Sequence, residues 1–262
     1  MDARSLLTSA RYRLRISIAH IPSIYLPLAG LHRRDEDGAK VVTQASDLVV
    51  EAFPRSSNTF AVAALQSSQP RKLNIAHHLH APAQLIKAVR LGKPALLIVR
   101  QPMAAVSSFI LRHPCVSMSL GLKSWLHFHR ALLPYTSGMA IATFDQVTSD
   151  LGAVIDAVNA RFGTSFNRFE HTTANVEKLF RVLESRDKKL SGDEKINELS
   201  VARPSIERSK RMADLELQWQ AARLRRQREE ADSLYGKFSA LAEASDRRLA
   251  DPNGNPNASG TP

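Results

Sequence analysis

Residues 48–60, LVVEAFPRSSNTF, decide the fold, because they join a strand pattern directly to a helix pattern. The first six residues are apolar except for one glutamate, which predicts a short buried strand that Pro54 ends. Residues 59–65 predict a helix with Asn58 as its N-cap. In such a loop the free backbone N–H groups and the positive end of the helix dipole face any ligand that the loop binds. This arrangement favours an anionic ligand. The alternative is an ordinary capping turn whose Arg55 faces water.

Strand and helix patterns alternate after this loop. Residues 95–99, ALLIV, form an uninterrupted apolar run that is typical of a parallel strand buried on both faces. This alternation predicts an α/β fold with a single open parallel sheet flanked by helices and a helical C-terminal extension. The predicted strands are 48–53, 73–77, 95–99 and 139–144, and the predicted helices are 59–65, 82–90, 102–112, 120–133, 151–162, 176–183 and one or two within 205–249, with a polar loop over 185–203.

Three segments are expected along the chain. Residues 1–45 form an N-terminal segment without a clear period, and residues 46–250 form the α/β domain with its long C-terminal helices. Residues 251–262, DPNGNPNASGTP, have the composition of a disordered tail.

The positive charge of the chain is concentrated in a span without acidic residues. The formal net charge is +11, and residues 52–144 contain ten Lys or Arg but no Asp or Glu. A field of one sign focuses anions and speeds their capture. An anionic ligand is therefore expected, with a basic solvated surface as the alternative. The ten residues are Arg55, Arg71, Lys72, Lys87, Arg90, Lys93, Arg100, Arg112, Lys123 and Arg130.

Two motifs in this span resemble the sulfotransferase superfamily that uses 3′-phosphoadenosine-5′-phosphosulfate (PAPS). Residues 54–60, PRSSNTF, are similar to that family's 5′-phosphosulfate loop, although Ser57 stands where glycine is usual and Arg55 where many animal members have lysine. Residues 100–108, RQPMAAVSS, are similar to its 3′-phosphate segment, in which an Arg at a strand end is followed eight residues later by a Ser. Arg100 and Ser108 match that spacing.

Two shorter segments extend the resemblance. Residues 79–85, LHAPAQL, resemble the segment that holds the family's catalytic histidine, which implies His80 as the general base. His77 and His78 are close enough to be alternatives. Residues 201–205, VARPS, resemble a late basic segment and imply Arg203 as a contact of the 3′-phosphate, with a plain helix start as the alternative.

The resemblance implies a P-loop-like fold and a metal-independent sulfotransferase with PAPS as co-substrate. In such an enzyme Arg55 would stabilise the charge that develops on the leaving 3′-phosphoadenosine-5′-phosphate (PAP). His80 would take the proton of the acceptor hydroxyl or amine, a role that a near-neutral imidazole suits. The implied nucleotide contacts are Arg55, Ser56, Ser57, Asn58, Thr59, Phe60, Arg100, Ser108 and Arg203.

Two other functions compete with this hypothesis. A P-loop kinase or hydrolase needs Gly-x-x-x-x-Gly-Lys-Ser/Thr and an acid that helps to hold Mg²⁺. The sequence has no such motif, and its acid-free span disfavours metal-assisted phosphoryl transfer. A nucleic-acid binder would use the arginines at 223–228, but acidic residues at 229, 230 and 232 follow them, which is typical of a solvated helix. No nucleic-acid partner is therefore expected.

Compartment and partners follow from a few residues. One cysteine, Cys115, excludes an internal disulfide framework, fits a reducing compartment and favours the cytoplasm.

The apolar run 16–31 is interrupted by His20, Pro22 and Pro27 and is shorter than the roughly 20 residues of a membrane span. Peripheral contact of this segment with an acidic membrane surface is left open. The expected acceptor is a small molecule or a glycan.

Overall fold

The structure is a computed structural model that describes residues 3–32, 40–191 and 206–250. Arg203 and the predicted tail lie outside the described residues. The strands are β1 (Leu48–Ala52), β2 (Ile75–His77), β3 (Ala95–Val99) and β4 (Ala140–Thr143). The helices are α1 (Ala3–Ile18), α2 (Pro22–His32), α3 (Asn58–Ser68), α4 (Pro82–Arg90), α5 (Pro102–Arg112), α6 (Met118–Leu132), α7 (Phe144–Ser149), α8 (Leu151–Phe162), α9 (Thr173–Ser191), α10 (Ile206–Trp219) and α11 (Arg225–Ala250).

The four strands form one parallel sheet in the order β2-β1-β3-β4. The register places Val50 beside both His77 of β2 and Leu96 of β3, and Ile98 beside Ala142 of β4. The prediction of an open parallel sheet flanked by helices is confirmed. Because all strands run the same way, the segments that follow β1, β2, β3 and β4 meet at one edge of the sheet.

Helices cover both faces of the sheet. Val49 and Phe53 of the first strand segment join one apolar cluster with residues of α4, α5, α6 and α11. Val50 and Ala52 point the other way, into a second cluster with residues of α3, α8 and α9. All five residues of β3 are buried, which is the physical reason for its uninterrupted apolar sequence.

Two local predictions are corrected. Helix α3 begins at Asn58, so Ser57 is the N-cap residue, and its side chain makes no capping hydrogen bond. Helix α9 continues to Ser191, so residues 185–191 are helical where a polar loop was predicted. These residues include Lys, Arg and Asp but no Gly or Pro, and nothing in them breaks a helix.

The N-terminal segment contains two helices where no period was recognised. Tyr25 and Leu26 of α2 are buried and belong to the same cluster as Val49 and Phe53. Among the described residues, no helix is both long and apolar enough to cross a bilayer. Peripheral contact with a membrane surface stays a prediction.

Candidate functional site

Three of the predicted site residues lie in one hydrogen-bonded group at the carboxyl edge of the sheet. Arg55 follows β1, and its Nε donates to the hydroxyl of Ser108 on α5 at 3.2 Å. Arg100 follows β3, and its Nη1 donates to the backbone carbonyl of Arg55 at 2.7 Å. The guanidinium of Arg100 also lies 4.0 Å from the centre of the Phe144 ring, a cation–π contact that holds its plane. Two permanently charged residues therefore meet at the edge where β1 and β3 end, joined by the bond from the Arg100 side chain to the Arg55 backbone.

The loop between β1 and α3 has an unusual backbone. Arg55 (φ 69°) and Ser57 (φ 64°) both adopt the left-handed conformation, which is unfavourable for a residue with a Cβ atom. Ser57 is the position at which the resembling family usually has glycine, and its positive φ gives the physical reason for that preference. The departure from glycine therefore keeps the shape of the turn and adds strain to it.

Buried polar atoms without partners surround this loop. Ser56, Asn58 and Ser107 are each at most 3% exposed. The hydroxyls of Ser56 and Ser107 and both side-chain polar atoms of Asn58 find no hydrogen-bond partner in the described parts of the chain. Buried polar groups are normally paired, so several unpaired ones beside two arginines indicate a place for a hydrogen-bonding ligand. Ser56 and Asn58 lie at the start of α3, where the helix dipole favours negative charge, and Ser107 lies on α5 next to Ser108.

The remaining two residues of the predicted loop lie differently. Thr59 is exposed, and its hydroxyl is 2.8 Å from Nε2 of His78. Phe60 is 6% exposed and packs against the rings of Phe169, His171 and Phe180. The ring of Phe60 is therefore part of the core. Its contribution to the loop is limited to its backbone N–H in the first turn of α3.

The turn after β2 carries His78 and His80, and His77 is the last residue of the strand before it. His78 (φ 61°) and His80 (φ 48°) are both left-handed, so this turn is also strained. Nδ1 of His80 lies 2.9 Å from the carbonyl oxygen of Ala52. Because a carbonyl only accepts, Nδ1 carries the proton and Nε2 holds the lone pair of the neutral ring. This tautomer leaves Nε2 as the nitrogen able to act as a base.

Glu51 is a buried acid that the sequence analysis did not assign to the site. Its side chain is 0% exposed. One carboxyl oxygen accepts from the N–H of Leu79 at 2.6 Å, and the other accepts from the N–H of His80 at 2.9 Å. Burial raises the pKa of Glu51 to about 8, although these donors and Gln84 act to lower it. The signal was available, since an acid within an otherwise apolar central strand is rarely buried without a purpose.

Two cavities border the histidine turn. A cleft of about 870 Å³ includes Thr59, His77 and His78 in its wall. Its rim contains Lys40, Lys72 and Lys178, and its apolar lining includes Val62, Leu73, Phe169, Leu179 and Val182. A separate cavity of about 30 Å³ borders His80 and is walled by Tyr12, Arg15 and Ile16 of α1. This second cavity has room for roughly one water molecule.

Arg15 connects α1 to the same turn. Its Nη2 donates to the carbonyl of Leu79 at 2.7 Å, and its Nε donates to the hydroxyl of Tyr25 at 3.0 Å. The backbone of Leu79 is thus bonded on its N–H side by Glu51 and on its carbonyl side by Arg15.

Within the described ranges, no group of three or more His, Cys, Asp or Glu is arranged to hold a metal ion.

Comparisons with known proteins give a similarity in structure but none in sequence. No protein-family model matches the sequence, and no curated protein matches it. Among solved structures, the crystal structure of a mouse sulfotransferase complexed with PAP aligns with 81% of this chain and 90% of its own, at a TM-score of 0.42 and 12% sequence identity.

Proposed function

We propose that this protein is a sulfotransferase that transfers a sulfuryl group from PAPS to a hydroxyl or amine acceptor. The observation that carries the proposal is the hydrogen-bonded group of Arg55, Arg100 and Ser108 at the strand ends. A nucleotide with phosphates at both the 5′ and 3′ positions needs two anion sites close together. The two arginines, from the ends of neighbouring strands, suit that requirement, and the sequence motifs around them resemble the family that binds PAPS.

The residues fit the two ends of such a nucleotide in different ways. The first-turn N–H groups of α3, with Ser56, Ser57, Asn58 and Thr59, would hold the 5′-phosphosulfate. Arg100 and Ser108 would hold the 3′-phosphate, with Arg203 as a further contact. The unpaired polar atoms of Ser56 and Asn58 gain partners in this arrangement. When bound, PAPS supplies the electrophilic sulfuryl group.

Two side chains of the protein would stabilise the charge on the leaving phosphate and accept the proton of the acceptor. Arg55 would stabilise the negative charge that develops at the leaving phosphate. His80 would accept the acceptor's proton at Nε2, the nitrogen left unprotonated by the contact of Nδ1 with Ala52. The proposal calls for no metal ion in either role.

Binding of PAP tests the donor half of the proposal. We expect calorimetry to show that PAP binds in the presence of EDTA. Adenosine 5′-monophosphate should bind more weakly by about tenfold to a hundredfold, because charge-assisted bonds to the 3′-phosphate are lost. The Arg90→Ala variant is the control. It removes a positive charge of the same acid-free span, but Arg90 is the last residue of α4, at the end of that helix away from the histidine turn. It should bind PAP normally. Absence of PAP binding by the wild-type protein would refute the proposal.

Histidine variants test the identity of the base. We expect His80→Ala to reduce the rate of transfer from labelled PAPS by roughly 10²- to 10⁴-fold, the usual contribution of a positioned general base. His77→Ala is the control from the adjoining end of β2 and should stay within a few-fold of wild type. His78 borders the large cleft and contacts Thr59. A normal rate in His80→Ala with loss in His78→Ala would move the base to His78.

A further inference from the structure

The position of Glu51 follows from the strand register. Val50 pairs with His77, the last residue of β2, so Glu51 is level with the point at which β2 ends. Beyond that point the chain turns away as residues 78–80, and the N–H groups of this turn lose the ladder partners that a longer strand would provide. The Glu51 carboxyl fills that place, fully buried beneath the turn.

Both oxygens of Glu51 are used. One accepts from Leu79 N–H at 2.6 Å and from the Gln84 side-chain amide at 3.1 Å. The other accepts from His80 N–H at 2.9 Å. Gln84 is itself fixed, because it also donates to the carbonyl of Lys40 and accepts from the N–H of Val42, each at 2.8 Å. The carboxyl is therefore held by α4 and in turn holds two successive backbone amides.

The turn needs such support. His78 and His80 are both left-handed, and side chains with a Cβ atom adopt this conformation only where the surroundings over-determine it. The direction of each histidine ring depends on the backbone angles at its own position. A change in the turn would therefore move the rings of His78 and His80, whose centres are 5.8 Å apart.

We infer that Glu51 is a positioning residue, whose two carboxyl oxygens fix the backbone of Leu79 and His80 and thereby aim the histidines at the reacting group. This role rests on the proposed sulfotransferase function. It does not depend on whether His78 or His80 is the base, because the turn carries both. A carboxyl accepts N–H bonds in both its protonated and its ionised state, so the support persists through the raised pKa of Glu51.

Glu51→Gln tests this inference because glutamine keeps the size of the side chain but offers one acceptor oxygen in place of two. We expect the backbone N–H of Leu79 or of His80 to exchange with deuterium at least about tenfold faster than in wild type, while the N–H of Ala76 in β2 is unchanged. We also expect kcat to fall by about 10- to 100-fold, with the dissociation constant of PAP unchanged.

Val50→Ala is the matched control. Val50 is adjacent to Glu51 in β1, is equally buried, and faces the opposite side of the sheet. It should lower the midpoint of thermal unfolding but leave kcat and the exchange of Leu79 and His80 close to wild type. Unchanged exchange and kcat in Glu51→Gln would overturn the inference.

The wild-type protein provides a second measurement if Glu51→Gln fails to fold. The amides of Leu79 and His80 should exchange as slowly as those of β1, and exchange at the rate of an exposed loop would overturn the inference. Absence of sulfuryl transfer in wild type, with both amides protected, would instead count against the proposed function alone.

Discussion

Replacing Arg55 by alanine is expected to reduce sulfuryl transfer by about 10²- to 10³-fold, the usual cost of removing one preorganised donor to a developing negative charge. The fold should survive, because the side chain of Arg55 is half-buried and lies outside the two apolar clusters of the core. Alanine also has a Cβ atom, so the strain of the left-handed φ at this position is kept. Transfer from labelled PAPS and the midpoint of thermal unfolding measure the two effects.

Two variants sharpen this result. Arg55→Lys keeps the charge but loses the planar fork of donors, so its rate should lie between wild type and alanine. Arg90→Ala removes one positive charge from the far end of α4 and should leave transfer unchanged. A rate in Arg55→Ala within threefold of wild type would exclude Arg55 from the stabilisation of the leaving group.

The stability of the protein is expected to decrease as the pH rises from about 4.5 to about 8, because of Glu51. The pKa of Glu51 is about 8 in the folded chain and 4.5 for an unperturbed glutamate, so the folded state binds the proton more tightly. Its contribution is therefore complete below pH 4.5 and is lost as the pH approaches 8. Each pH unit corresponds to about 1.4 kcal/mol, so the whole loss is on the order of 5 kcal/mol.

Glu51→Gln isolates this contribution, since glutamine does not titrate. The free energy of unfolding of both proteins, from urea titrations between pH 5 and pH 8, should show wild type losing stability relative to the variant as the pH rises. The comparison is needed because His129 acts in the opposite sense. Burial lowers the pKa of His129 to about 3, so His129 reduces stability as the pH falls below about 6.5. A constant difference between the two proteins would contradict the raised pKa of Glu51.

The elements that the sequence predicted well are those whose residue types are restricted by burial or by backbone geometry. β3 is buried on both faces, and its apolar run predicted its bounds correctly. α4 begins at Pro82 as predicted, because proline suits the first turn of a helix. The C-terminal half of α9 was missed because its charged sequence has no apolar stripe to reveal a helix.

The candidate site was predictable where it depends on strand ends and hidden where it depends on pairing between strands. Arg55, Arg100 and Ser108 follow or flank strands that the sequence already located, so their meeting at one edge could be expected. The place of Glu51 could not, because the register of β1 against β2 decides which amides its carboxyl reaches. The positive φ values at His78 and His80 also have no local signal such as glycine.

The hydrogen bond from Arg15 to the carbonyl of Leu79 couples the position of α1 to that of the histidine turn. The N–H of Leu79 donates to Glu51 in the sheet, and its carbonyl accepts from Arg15 on α1 and from Tyr25 on α2. Displacement of α1 would remove the bond from Arg15. The same helix walls the small cavity at His80, and its displacement would enlarge that cavity. The position of α1 therefore affects both the support of Leu79 and the space beside His80.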